Sequence, residues 1–171
     1  LRALRDSNSE RGFSDDVWNE MAQMGWAGIA IPEAFGGLGY GYTGLGLLLE
    51  QAGRNLSASP LQSTVLVAAT LIGELGSSQQ KEELLPAIAA GQKFISLALQ
   101  EGPHHAPQQS ALSATLNEGD YILNGTKLMV LDAVSAHTFI VIARTSGTPG
   151  EEQGLSAFLL DAGTAGLTVE R

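Results

Sequence analysis

The 171-residue chain contains no cysteine. Disulfide frameworks, cysteine-ligated zinc, iron–sulfur clusters and thiol nucleophiles are thereby excluded, and the absence fits a reducing, cytoplasmic setting. Basic residues are few: 9 Lys and Arg stand against 18 Asp and Glu, a net charge of −9. That balance argues against nucleic acid as a partner, because such binding rests on clustered cations that neutralise phosphates. It argues equally against a polybasic membrane anchor. No apolar run approaches the ~18 residues of a membrane span. No acidic tail exists either, since the charge is −5 over residues 1–92 (5 basic, 10 acidic) and −4 over residues 93–171 (4 basic, 8 acidic). The opening Leu1-Arg2-Ala3-Leu4-Arg5 resembles neither a signal peptide nor a natural start, and the chain is expected to be a piece of a longer one.

What is present is enough for one ordinary domain or two small ones. Hydrophobic residues make up 44% and charged residues 16%, the opposite of a disordered composition. Glycine is abundant, at 21 residues, but follows no period. The first half carries helical signals. Ser14 is placed to cap a helix whose first turn holds Asp15 and Asp16, with Val17, Met21 and Met24 at helical spacing and Gly25 as a stop. A helix from about Thr43 to Arg54 follows. Ser59-Pro60 marks the next start, and Leu61, Val65, Ala68, Ala69, Ile72 and Leu75 share a face that ends at Gly76. Ser77 and Gln80 have capping-box spacing, and the helix they open is expected to kink or break at Pro86.

The second half changes period. Phe94–Leu99 reads as a buried strand, and Leu112, Ala114 and Leu116 alternate with polar residues. Glu118-Gly119-Asp120 turns the chain back, and Asn124-Gly125 is a strong hairpin signal. Phe139–Ala143, Leu155–Leu160 and Leu167–Val169 read as further strands. Helices followed by strands predict an α+β fold: an N-terminal all-helical domain over residues 1–91, then an antiparallel β-barrel or sandwich-like domain over residues 92–171.

Motifs for chemistry are sparse. Gly39-x-Gly41-x-x-Gly44 matches a dinucleotide fingerprint literally, but no second strand follows and no acid stands about 20 residues on, so a glycine-rich connection between helices is preferred. His104 and His105 are neighbours in a loop, without cysteine or an i, i+4 partner, and make a poor metal site. His137 precedes a strand and reads as its cap. No G-x-S-x-G elbow or phosphate-binding loop is present. On spacing alone, no active site is complete.

The residue strings say more. Gly25-Trp26-Ala27-Gly28-Ile29-Ala30-Ile31-Pro32-Glu33 and Phe35-Gly36-Gly37-Leu38-Gly39, with Trp18 upstream and Glu50-x-x-Gly53-Arg54 downstream, form one series. Tyr121-x-Leu123-Asn124-Gly125-Thr126-Lys127, Ile140–Thr145 and Phe158-Leu159-Leu160-Asp161 form a second. Together they resemble, in order and spacing, the helical and middle β domains of the acyl-CoA dehydrogenase family. The resemblance implies FAD, an acyl-CoA substrate, an electron-transfer acceptor and a homo- or hetero-oligomer such as a tetramer. It implies α,β-dehydrogenation with hydride transfer to the flavin. The catalytic base is expected from a C-terminal helical bundle, so no catalytic residue is nominated in this chain. By the same resemblance Leu97, Leu99, Gln100, Met129, Val130 and Leu131 face the cofactor, and Ala106 lies toward the substrate.

Four positions depart from the family pattern. Gln100 stands where a threonine is usual, and His104-His105-Ala106 replaces a small loop. Met129 replaces an aromatic residue and Leu131 a hydroxyl. Each lost side-chain hydrogen bond is worth about 0.5–1.5 kcal/mol net, while the Gln100 amide and a Met129 sulfur–aromatic contact offer substitutes. The departures leave two alternatives open: a non-catalytic partner subunit of a hetero-oligomeric dehydrogenase, and a flavin oxidase or hydroxylase on the same scaffold.

Overall fold

A computed structural model describes residues 11–171. Leu1–Glu10, with the opening segment discussed above, lie outside the described residues. Among the described residues the first helix is α1 (Asp15–Gln23), capped by the Ser14 hydroxyl, which accepts from the Val17 N–H, and closed by Gly25 at φ +81°. Two 3₁₀ turns, Trp26–Gly28 and Glu33–Phe35, carry the chain to α2 (Gly41–Arg54). Ile29-Ala30-Ile31 is therefore no strand, and Gly39–Gly44 joins a turn to a helix, as preferred from sequence. Leu61–Ala68 then winds as a π-helix and continues directly into α3 (Ala69–Leu75). Helix α4 (Ser78–Ala89) opens with the complete Ser77/Gln80 capping box.

The expected break at Pro86 does not occur, and α4 runs unbroken through it. Pro86 and Glu82 are both exposed, so the carbonyl that loses its N–H partner faces solvent rather than the core.

Five strands follow: β1 (Ile95–Ala98), β2 (Ser113–Asn117), β3 (Asp120–Asn124), β4 (Thr138–Arg144) and β5 (Leu155–Asp161). Strand β4 is central. β5 pairs along its full length, antiparallel, from Thr138↔Asp161 to Arg144↔Leu155. The other edge of β4 is shared by β1, parallel from Ile95↔Thr138 to Ala98↔Val141, and by β2, parallel at Ser113↔Arg144. The helices-then-strands order holds, but the sheet is mixed and open rather than purely antiparallel or closed into a barrel. The cause is local. The turn read at Glu118-Gly119, both at positive φ, does form the hairpin between β2 and β3, but Asn124-Gly125 does not fold β3 back onto β4. Gly125 serves another purpose: a Cβ there would come within 2.9 Å of the Leu112 Cα, so the glycine permits a close backbone crossing. Leu167–Val169 forms no strand, and Leu167 packs loosely on the sheet's second core.

Alternation along β4 divides the interior into two cores. Ile140 and Ile142 face the helices, in a cluster that includes Trp18, Leu45, Leu61, Val65, Leu85, Ile88 and Ile95. Phe139, Val141 and Ala143 face the opposite core with Leu112, Ala114, Phe158 and Leu160. At the boundary between the halves, the carbonyl of Gly91 accepts from the Trp18 indole at 2.8 Å. Phe94 sits against both Phe13 and Trp18, and the His137 ring stacks on it at 4.9 Å. His137 does more than cap its strand. Its Nδ1 accepts from the Phe94 N–H at 3.1 Å, and the His137 backbone N–H donates to the Phe94 carbonyl.

Candidate functional site

Two irregular segments leave the sheet near one another: residues 99–112 after β1, and residues 125–137 before β4. The backbone joins them directly, since the Leu128 N–H donates to the Gln100 carbonyl at 2.7 Å. Side chains reinforce the junction. Lys127 Nζ donates to Glu101 Oε1 at 2.6 Å, to Ser110 Oγ at 2.7 Å and to the Leu99 carbonyl at 3.1 Å. Glu101 also accepts from the Ser110 hydroxyl and from the N–H groups of Ala111 and Leu112. The Lys127 side chain is only 5% exposed and that of Glu101 19%, so the ammonium is shielded and the carboxylate largely so.

Burial by itself raises the Glu101 carboxyl, but the Lys127 ammonium, the two N–H groups and the Ser110 hydroxyl together outweigh it and lower it from 4.5 to about 2. With four donors on its two oxygens, Glu101 is a fixed anion rather than a proton acceptor.

A cavity of about 350 Å³ opens beside this cluster, lined in part by Leu99, Gln100, Gly102, His104 and Ala106. Among the residues nominated from sequence, Leu99, Gln100 and Ala106 thus share one concavity. The Gln100 amide lies 2.6 Å from His105 Nδ1, so the loop's own histidine occupies the side chain. Leu97 turns the other way and packs on the helical core. Val130 packs on the second core, whereas Met129 and Leu131 are exposed on the adjoining turn, at 68% and 48%. That turn is bracketed by two non-glycine residues in the left-handed region, Met129 at φ +52° and Asp132 at φ +55°.

Three contributors were not singled out from sequence. Lys127 ends one of the motif strings and Glu101 follows Gln100, but their pairing spans 26 residues and no local pattern announces it. Arg144 is 6% exposed and donates five hydrogen bonds to backbone carbonyls, those of Gln108, Ser110, Ser146, Glu151 and Gln153. It holds the loop before β2 against the loop before β5. Its cue was an arginine closing an otherwise apolar strand.

The arrangement defines a class: a helical unit on a mixed, open sheet, with a loop-walled cavity and an adjoining apolar turn at the sheet's edge. Residues 2–92 match the family model "Acyl-CoA dehydrogenase, N-terminal domain", and residues 99–171 match "Acyl-CoA dehydrogenase, middle domain". The chain belongs to the acyl-CoA dehydrogenase family. It is 31% identical over 163 residues to the mitochondrial isovaleryl-CoA dehydrogenase of Solanum tuberosum, covering 91% of this chain and 39% of that protein. Its fold matches a variant of the Tcur3481-Tcur3483 steroid ACAD with a TM-score of 0.85 and 35% identity, over 100% of this chain and 45% of that one. It also matches the FAD complex of PigA with a TM-score of 0.82 and 27% identity, over 99% of this chain and 43% of that one. The chain spans about two fifths of the length of the curated relatives it matches.

Proposed function

We propose that the protein is a subunit of a flavin-dependent acyl-CoA dehydrogenase. In this reading it takes part in α,β-dehydrogenation of an acyl-CoA thioester and passes electrons to an external acceptor. The observation that carries the reading is the hydrogen-bonded junction of residues 99–101 with residues 127–128, two segments apart in sequence, which sets the Met129–Asp132 turn beside the cavity walled by the loop after β1. The residues present suit FAD. Leu99, Met129 and Leu131 offer apolar and sulfur-bearing surface to a ring face, and an irregular backbone leaves N–H groups outside any ladder. When bound, the flavin supplies the hydride acceptor.

The chain's own part is to hold and to shield. Lys127 and Glu101 fix the loop after β1, Arg144 fixes the loop beyond the cavity, and the apolar turn keeps water from one side. Glu101 is the carboxylate at the cavity, and its four donors and low pKa disqualify it as the base that removes the α proton. That base is assigned to a carboxylate outside residues 1–171. Residues 1–91 and 92–171 are proposed as the helical and β domains of this subunit, and a cytoplasmic location is proposed from the cysteine-free composition. Among the described residues, no helix is long and apolar enough to cross a membrane.

A specific observation favours a second reading. Gln100 is engaged by His105, and neither Met129 nor Leu131 carries a hydroxyl. A partner subunit whose oligomer takes its catalysis from a homologous chain would tolerate these changes. Anaerobic addition of acyl-CoA to the FAD-loaded full-length protein separates the two. Bleaching of the flavin's visible absorbance supports the dehydrogenase. A flavin that stays oxidised with straight, branched and steroid acyl-CoA alike, but is reduced once a homologous chain is co-purified, supports the partner subunit.

A further inference from the structure

The π-helical segment Leu61–Ala68 aims two consecutive hydroxyls at the β half. Thr64 Oγ1 donates to the Ile95 carbonyl and accepts from the Ile95 N–H, both at 3.1 Å. Ser63, 3% exposed, donates to Asp132 Oδ2 at 2.6 Å, across 69 residues of sequence. Its other acceptor in reach, the Pro60 carbonyl, is longer at 3.4 Å. Successive side chains on an ordinary α-helix diverge by about 100°. The wider i→i+5 turn narrows that angle, so the π geometry lets neighbouring residues reach neighbouring targets. Such turns recur at functional sites.

Asp132 is the last residue of the Met129–Asp132 turn, and the first and last residues of that turn are the two left-handed ones. Aspartate tolerates this conformation better than most residues, while an unbranched methionine gains nothing from it. Strain of this kind persists only where surrounding contacts over-determine it. Here two contacts do so. The Leu128 N–H on Gln100 holds the entrance, and Ser63 on Asp132 holds the exit. The Asp132 carbonyl additionally accepts from both the N–H and the hydroxyl of Ser135.

We infer that Ser63 is a positioning residue: through Asp132 it sets the Met129–Asp132 turn, so the helical half controls the conformation of the proposed flavin-facing surface. This rests on the flavin reading only for what the turn touches, not for what holds it. Ser63→Ala removes one oxygen from a buried site, and Asp132→Ala attacks the same contact from its half-buried end. In the full-length apoprotein, both should speed amide hydrogen exchange over residues 129–135 about tenfold, as expected for loss of a charge-assisted hydrogen bond. Exchange in α4 should not change. The dissociation constant for FAD, read by flavin fluorescence, should rise by about the same factor. Asp132→Asn keeps both an acceptor and a residue suited to left-handed backbone, and should stay within about threefold of wild type.

Three results would overturn the inference: unchanged exchange at 129–135 in both alanine variants, acceleration spread equally over α4 and the sheet, or faster local exchange with unaltered FAD affinity. If the wild-type protein binds no FAD, the flavin reading falls on its own, and the exchange measurement alone decides the contact.

Discussion

The two halves of the molecule are held together by different physics. The helical half relies on buried aliphatics and on caps whose partners lie three residues apart, such as Ser14 with Val17 and Ser77 with Gln80. The β half relies on buried charge. Lys127, Glu101 and Arg144 each satisfy themselves on partners from several segments, and among the described residues no buried side-chain polar atom is left without one. Apolar packing tolerates loss in proportion to the volume removed. A buried charge tolerates loss poorly, because its partner stays behind without compensation.

Three substitutions and two pH responses test that contrast. The largest effect is expected for Lys127→Met, which leaves the largely shielded Glu101 carboxylate without its countercharge, held only by the Ser110 hydroxyl and two N–H groups, and should cost roughly 3–5 kcal/mol in thermal or denaturant unfolding. Ile95→Ala, at the shared core between the halves, should cost about 2–4 kcal/mol from lost burial and a residual cavity. Ser77→Ala should cost only about 1 kcal/mol, the value of one helix cap. If Ser77→Ala proved as damaging as Lys127→Met, the distinction between the halves would vanish.

Two further tests come from pH. The Glu101 carboxyl is lowered in the folded state from 4.5 to about 2, so its stabilisation is complete above pH 4.5 and is lost as pH falls through 2. Glu101→Gln should flatten that part of the acid-unfolding curve. His137 is lowered from 6.5, first by burial and then by the Arg11 and Lys93 charges. Its neutral form belongs to the fold, so stability should begin to decline as pH drops below 6.5, and His137→Gln should remove that early decline. A wild-type curve that is flat from neutrality to pH 4.5 would contradict the role assigned to His137.

The same contrast explains what was legible in the sequence. Helix caps, the Gly25 and Gly76 stops and the apolar face of residues 61–72 announce themselves within a few positions, whereas Leu75, read onto that face, lies at the helix end and is 72% exposed. Legible too are β4 and β5, whose continuous or alternating apolar runs need no distant information. The parallel placement of β1 and β2 on one edge of β4 was not legible, because Asn124-Gly125 signals a hairpin unless one knows that Leu112 crosses beside Gly125. The site divides likewise. Leu99, Gln100 and Ala106 do share a cavity, yet Leu97, one residue out of phase with Ala98, faces the helical core. The Glu101–Lys127 and Ser63–Asp132 contacts join residues 26 and 69 positions apart, and no periodicity encodes them.

The central claim is that residues 99–106 and 127–132 form one flavin-facing surface. Equilibrium titration of the full-length apoprotein with FAD tests it most directly. The account predicts saturable quenching of flavin fluorescence in the wild type and weakened binding in Lys127→Met under conditions where that variant stays folded. A folded wild-type protein that leaves FAD fluorescence unchanged at every concentration, or a Lys127→Met variant that binds FAD as tightly as wild type, would contradict it.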